Sequence, residues 1–177
     1  RYRDFTAAAV VSGNSHEASL VETVHMNSLS WSEMVSRLAL LIERYPSARV
    51  LCDATGLGDP LVESLRVRMP GRAIGEFVFT AHSKGPLIEG LRCLIENGRF
   101  AMRPDPELIR QLQHYEASTG KSGQMRFGAA GGYHDDLVIA LALAARELPR
   151  PYRAAVTLGG TREFAKCTST KDQRRRI

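Results

Sequence analysis

The sequence predicts an α/β fold: a mixed central β-sheet flanked by helices on both faces. Three observations predict it. Two strand-like stretches near the amino end, Phe5 to Ser12 and Ser19 to Met26, are joined by a Gly13-Asn14 turn and read as an antiparallel hairpin. Downstream, short apolar strands alternate with helical patterns, as parallel crossovers require. A final segment, Leu137 to Ala145, is apolar on every side and therefore reads as a buried helix. At 177 residues the chain is long enough for one domain that buries roughly 70% of its unfolded surface.

The elements follow in order. The second hairpin strand alternates apolar and polar residues (Leu20, Val21, Thr23, Val24, Met26) with one slip. Ser30 and Glu33 form a capping-box pattern. Trp31, Met34, Val35, Leu38, Leu41, Ile42 and Tyr45 then recur at helical spacing as a core stripe, and Pro46 stops the helix. Arg49 to Asp53 reads as a strand covered on both faces. Gly56, Gly58 and Pro60 make a loop, Leu61 to Val67 a short helix, and Ile74 to Ala81 another strand. Pro86 suits a first helical turn, with Leu87, Ile88, Leu91, Leu94 and Ile95 as the buried stripe and Gly98 as the stop. A brief strand over Arg99 to Met102 leads to a helix from about Pro106 to Tyr115, capped by Asp105. Residues 117–132 hold seven Gly or Ser around Met125-Arg-Phe127, predicting a flexible hairpin or loop. After Pro149 periodicity is lost, which divides the chain into a domain at 1–149 and an irregular tail at 150–177.

Charge follows that division. The tail carries eight Lys or Arg against two acidic residues, whereas the body is close to neutral. A basic tail fits an anionic partner or a solvated end. The neutral body means that a nucleic-acid function must rest on a site. No apolar run reaches the ~20 residues of a membrane span, so no membrane partner is expected. Three widely spaced cysteines argue against a disulfide scaffold and fit a reducing compartment. The lack of an initiator Met and of a signal-like segment fits a piece of a longer polypeptide.

The chemistry concentrates in acidic residues. Asp53 lies at the carboxyl end of a covered strand, where open α/β sheets bind ligands, although an Asp there also starts turns. His134, Asp135 and Asp136 open the apolar helix. One Asp would be a cap; two adjacent carboxylates repel, and a divalent cation relieves the repulsion. Hard oxygen donors select Mg²⁺ or Mn²⁺. Carboxylates meeting in one crevice can hold two such ions, the arrangement that hydrolyses phosphodiesters. His134 is a candidate ligand or an orienting group. His16, His25, His82 and His114 share no ligand spacing and read as surface or core.

An ordered set of motifs resembles a known family. Leu51-Cys-Asp53-Ala-Thr-Gly56-Leu-Gly58, then Phe79-Thr-Ala-His-Ser83-Lys84, then Gly98-Arg-Phe, then Gly132-Tyr-His134-Asp135-Asp136-Leu-Val is similar to the nuclease domain of tailed-bacteriophage large terminases, over about residues 4–147. The resemblance implies an RNase H-like fold and a metal-dependent endonuclease that cuts concatemeric viral DNA during packaging in the host cytoplasm. It implies Asp53 as a metal ligand, Asp135 or Asp136 as another, and Asp4 as an acidic residue near the ions. It places Lys84 near the DNA backbone, with further contacts expected from Lys121 and Arg126. An upstream ATPase domain of the same polypeptide, double-stranded DNA, and portal and small terminase proteins are the implied partners. The family's first catalytic Asp lies on a central strand that would precede Arg1.

Other readings stay open. Gly120-Lys121-Ser122 lacks the earlier glycine of a P-loop, since position 115 is Tyr. Gly56-x-Gly58 lacks the third glycine of a dinucleotide fingerprint, since position 61 is Leu. A Holliday-junction resolvase shares the same acidic logic, and a non-catalytic docking module would need none of it.

Overall fold

A computed structural model describes residues 5–55, 60–119 and 125–149. The expected hairpin forms from β1 (Thr6–Gly13) and β2 (Ala18–Met26), paired antiparallel. The slip in its alternation is a β-bulge. Register steps from Val10 opposite Glu22 to Val11 opposite Leu20, and Val21 is left unpaired and half exposed. Helix α1 (Trp31–Arg44) starts at the predicted capping box: Ser30 Oγ accepts from the Glu33 N–H, and Glu33 Oε2 accepts from the Ser30 N–H at 3.1 Å.

Strand β3 (Val50–Asp53) is followed in the chain by α2 (Pro60–Arg68) and β4 (Ile74–Phe77), which lies parallel to β3. β4 stops before the expected Ala81. Ser83 Oγ donates to the Val78 carbonyl and accepts from the Thr80 N–H, which draws residues 78–83 into a turn before α3 (Lys84–Glu96). Gly98, at φ 65°, ends that helix in a conformation a side chain would resist. β5 (Phe100–Ala101) pairs parallel with β2. α4 (Pro106–His114) is capped by Asp105, whose Oδ1 accepts from the Glu107 and Leu108 N–H groups at 3.1 Å each. The Gly/Ser-rich stretch contributes a hairpin, β6 (Tyr115–Thr119) with β7 (Met125–Ala129), before α5 (Asp136–Arg146).

The hairpin strands alternate between two cores. Ala7, Ala9 and Val11 pack with Leu87, Leu91, Leu108, Leu137 and Leu141 of α3, α4 and α5. Ala8 and Val24 pack with Val35, Leu38, Val62 and Leu65 of α1 and α2. β3 divides likewise, with Leu51 facing the first core and Val50 and Cys52 the second. Helices therefore cover both faces, as predicted. β1, β2 and β5 form a mixed sheet, whereas β3 and β4 hydrogen-bond only to each other among the described strands. Between the edges of β1 and β3 that have no described strand partner lies a cavity of about 820 Å³, lined on one face by Ile139, Ala140 and Leu143 of α5 and on the other by Leu38 and Leu41 of α1.

Two predicted core residues lie elsewhere: Ile95, in the last turn of α3 beyond the buried Leu87, Ile88, Leu91 and Leu94, is 39% exposed, and Trp31 is the other. Trp31 is 49% exposed, and its indole N–H donates to Ser64 Oγ at 3.2 Å. As the first residue of α1 it stands at the helix mouth, where Val35, Leu38, Ala39 and Leu41 take over the burial.

Candidate metal centre and nucleic-acid interface

Four element ends meet at one mouth of the cavity. β1 begins there, β3 ends there, and α3 and α5 begin there. α5 runs beside β1 in the same direction: Phe5 meets His134 edge-on at 4.6 Å, while the Ser15 N–H at the far end donates to the Pro149 carbonyl. The apolar body of α5, with Leu137 and Leu141 nearly inaccessible, anchors its first turn.

That turn carries the acidic pair. Asp135 is the N-cap residue, yet its side chain makes no capping bond. The Leu137 N–H is instead taken by Oε1 of Gln111 at 2.9 Å, and Gln111 is held through its Nε2 by Glu107. Gln111 is 2% exposed, the one buried polar residue among those described. The cap is thus supplied from α4, and the Asp135 carboxylate is released to face Lys84, with Nζ to Oδ2 at 3.8 Å. The Asp136 side chain is 30% exposed, as is that of Asp135, but one of its oxygens is set inward. Its Oδ2 is buried with no hydrogen-bond partner, 3.6 Å from His134 Nδ1. Burial pushes its carboxyl above the ordinary value of 3.8, against the opposing pull of His134 and with repulsion from Asp135 added.

Asp53 is exposed at the end of β3 and lines the same cavity as Lys84, Asp135 and Asp136. Its Oδ1 accepts from the Thr55 N–H at 2.9 Å and from the Thr55 hydroxyl at 2.5 Å, so the predicted turn role is present. Oδ2 takes no hydrogen bond among the described residues. A contact path joins the two acidic corners: Thr55 Oγ1 accepts from the Phe79 N–H, and Lys84 Nζ lies 6.0 Å over the Phe79 ring. Among the described residues, no three His, Cys, Asp or Glu side chains close on a single point. The carboxylates line one mouth rather than forming a finished cage. The donor set nevertheless fits a hard cation, because the Asp136 Oδ2 is a buried carboxylate oxygen that takes no hydrogen bond among the described residues, with His134 Nδ1 beside it at 3.6 Å.

Other candidates distribute around this mouth. Arg126 is exposed on β7, whose Gly128 stands so near that an added Cβ would lie 3.8 Å from Asp135 Oδ2. Asp4 and Lys121 lie outside the described residues. His25, read from sequence as surface or core, lies close to the site. It stacks on Phe5 at 4.5 Å, behind His134, and its charge bears on Asp136. Sequence reasoning assigned no role to Gln111 or Thr55. The available signals were a polar residue three positions after Leu108 on a core-facing stripe, and a hydroxyl two residues after an Asp.

The fold and site define a class, the RNase H-like domains with carboxylates at a strand end and a helix start. A family model described as the terminase RNaseH-like domain matches residues 2–147, and the chain belongs to that family. The large terminase subunit of Thermus phage G20c is 34% identical over 125 residues, covering 67% of this chain and 24% of that protein; the subunit of Thermus virus P23-45 matches to the same extent. The chain thus spans about a quarter of the length of these relatives. The crystal structure of the large terminase nuclease from phage G20c with bound magnesium superimposes with a TM-score of 0.66 at 28% identity, over 82% of this chain and 83% of that one. The same nuclease has been solved with bound cobalt and with bound zinc. The HK97 large terminase, 13% identical with a TM-score of 0.57, shares the fold.

Proposed function

We propose that this domain is a divalent-metal-dependent endonuclease that cuts duplex, concatemeric viral DNA during genome packaging, as part of a large terminase polypeptide in the host cytoplasm. The observation that carries this reading is the unpartnered, buried Oδ2 of Asp136 at a cavity mouth that Asp53 also lines. Family membership supports it, and the magnesium-bound relative supports Mg²⁺ or Mn²⁺ as the cation.

Asp53, Asp135 and Asp136 would hold two ions, with Asp4 and His134 as further donors. When bound, such ions supply an acidified water and offset charge on the departing 3′ oxygen. The protein's own residues do the rest. Gln111 keeps the α5 turn capped, so neither carboxylate is consumed by it. Lys84 neutralises Asp135 and offers its ammonium to a phosphate. Arg126, with Lys121, extends that cationic side along the hairpin. His25 stacks on Phe5 and His134 meets the same ring edge-on, which sets two imidazoles beside Asp136. The cavity is walled by edges of β1 and β3 that pair with no other described strand. An ATPase domain in the same polypeptide, and portal and small terminase proteins, complete the proposed setting.

The test is plasmid nicking with Mn²⁺ by the intact protein and by Asp53→Ala. Loss of cleavage in the variant is expected, and equal cleavage by both would sink the nuclease reading. A four-way junction cut in preference to linear duplex would redirect it to a resolvase.

A further inference from the structure

We infer that Thr55 is a positioning residue for Asp53, holding one carboxylate oxygen so that the other is presented to the cavity. The inference rests on the metal-site reading above and deepens it. Asp53 is the last residue of β3, exposed, and unheld it would rotate about two side-chain torsions.

The hydrogen-bond directions are determined. The Phe79 N–H can only donate, and it donates to Thr55 Oγ1 at 2.9 Å. The hydroxyl's single proton is then directed to Asp53 Oδ1, at 2.5 Å. The result is a relay from a backbone amide beyond β4, through a hydroxyl, to a carboxylate at the end of β3. The Thr55 N–H adds a second donor to the same oxygen at 2.9 Å. That backbone bond alone would close a turn after Asp53. The hydroxyl is superfluous to the turn, and what it adds is a tie from the carboxylate to the segment leading into Lys84. A β-branched side chain holds its hydroxyl in few rotamers, which suits a fixed relay. Such partners orient ligating carboxylates and govern affinity for the ion.

Mn²⁺ binding by titration calorimetry, with thermal melting alongside, tests this on the intact protein, Thr55→Val, Thr55→Ser and Asp53→Ala. Valine keeps the shape and removes the hydroxyl; serine keeps the hydroxyl. Thr55→Val is expected to weaken Mn²⁺ binding by about 10-fold or more, while Thr55→Ser stays close to the parent. If Thr55→Val binds Mn²⁺ as the parent does and only melts earlier, the hydroxyl serves the turn and the inference is overturned. Equal weakening in both variants would overturn it too, by making the methyl group the determinant. Parent-like binding by Asp53→Ala, or no binding by the parent, would defeat the metal-site reading itself and this inference with it.

Discussion

Asp136 is the residue at which stability and function pull apart. Its carboxyl is shifted upward by burial, so the folded state holds its proton more tightly than the unfolded chain does. The stabilisation from that proton is complete below pH 3.8 and is lost as pH rises through the elevated folded value. At neutral pH the ionised group is a cost to the metal-free fold. Asp136→Asn should therefore melt at a higher temperature than the parent at pH 7, with the difference vanishing below pH 3.8. The same substitution should abolish stabilisation by Mn²⁺, which in the parent approaches ~2.7 kcal/mol at a hundredfold excess over Kd. Melting curves with and without the ion check both. Lys84 makes the complementary case. Removing its ammonium should weaken duplex binding uniformly across sequences and lower the slope of log affinity against log salt by about 1.

At the scale of elements, the start of α5 depends on a residue in α4. Replacing Gln111 by Leu orphans the buried Leu137 N–H and should cost ~1–3 kcal/mol, read from the denaturant midpoint. Leu141→Ala, in the fully buried middle of α5, should cost ~2–5 kcal/mol by cavity formation. Local grammar made most elements readable beforehand. Ser30 and Glu33 marked the start of α1, Asp105-Pro106 that of α4, and Gly98 the end of α3, because capping bonds span only a few residues. The apolar run after Asp136 announced burial because a helix apolar on every side has no face to offer to water. What stayed hidden was non-local. Gln111 reaches across 26 positions to Leu137, and Thr55 bonds the amide of Phe79, 24 positions away. No spacing rule within either segment announces such a partner. The truncation of β4 was equally invisible, since the Thr80–Ser83 turn competes with the strand through side-chain bonds that propensity does not weigh.

At the scale of the whole molecule, layer order was readable and sheet continuity was not. The run from Ala7 to Val11 is apolar at every position, and two cores flank it. Which strand edges find partners depends on three-dimensional neighbours. Among the described strands, β1 and β3 each keep one edge without a strand partner, and both edges border the cavity over α5. Open edges of this kind are templates for foreign strands. Protein in which these edges stand bare should self-associate as concentration rises, through intermolecular backbone pairing rather than through its charged surface. Light scattering should then show growth that added salt leaves in place, because screening weakens contacts between ions and spares amide–carbonyl pairing.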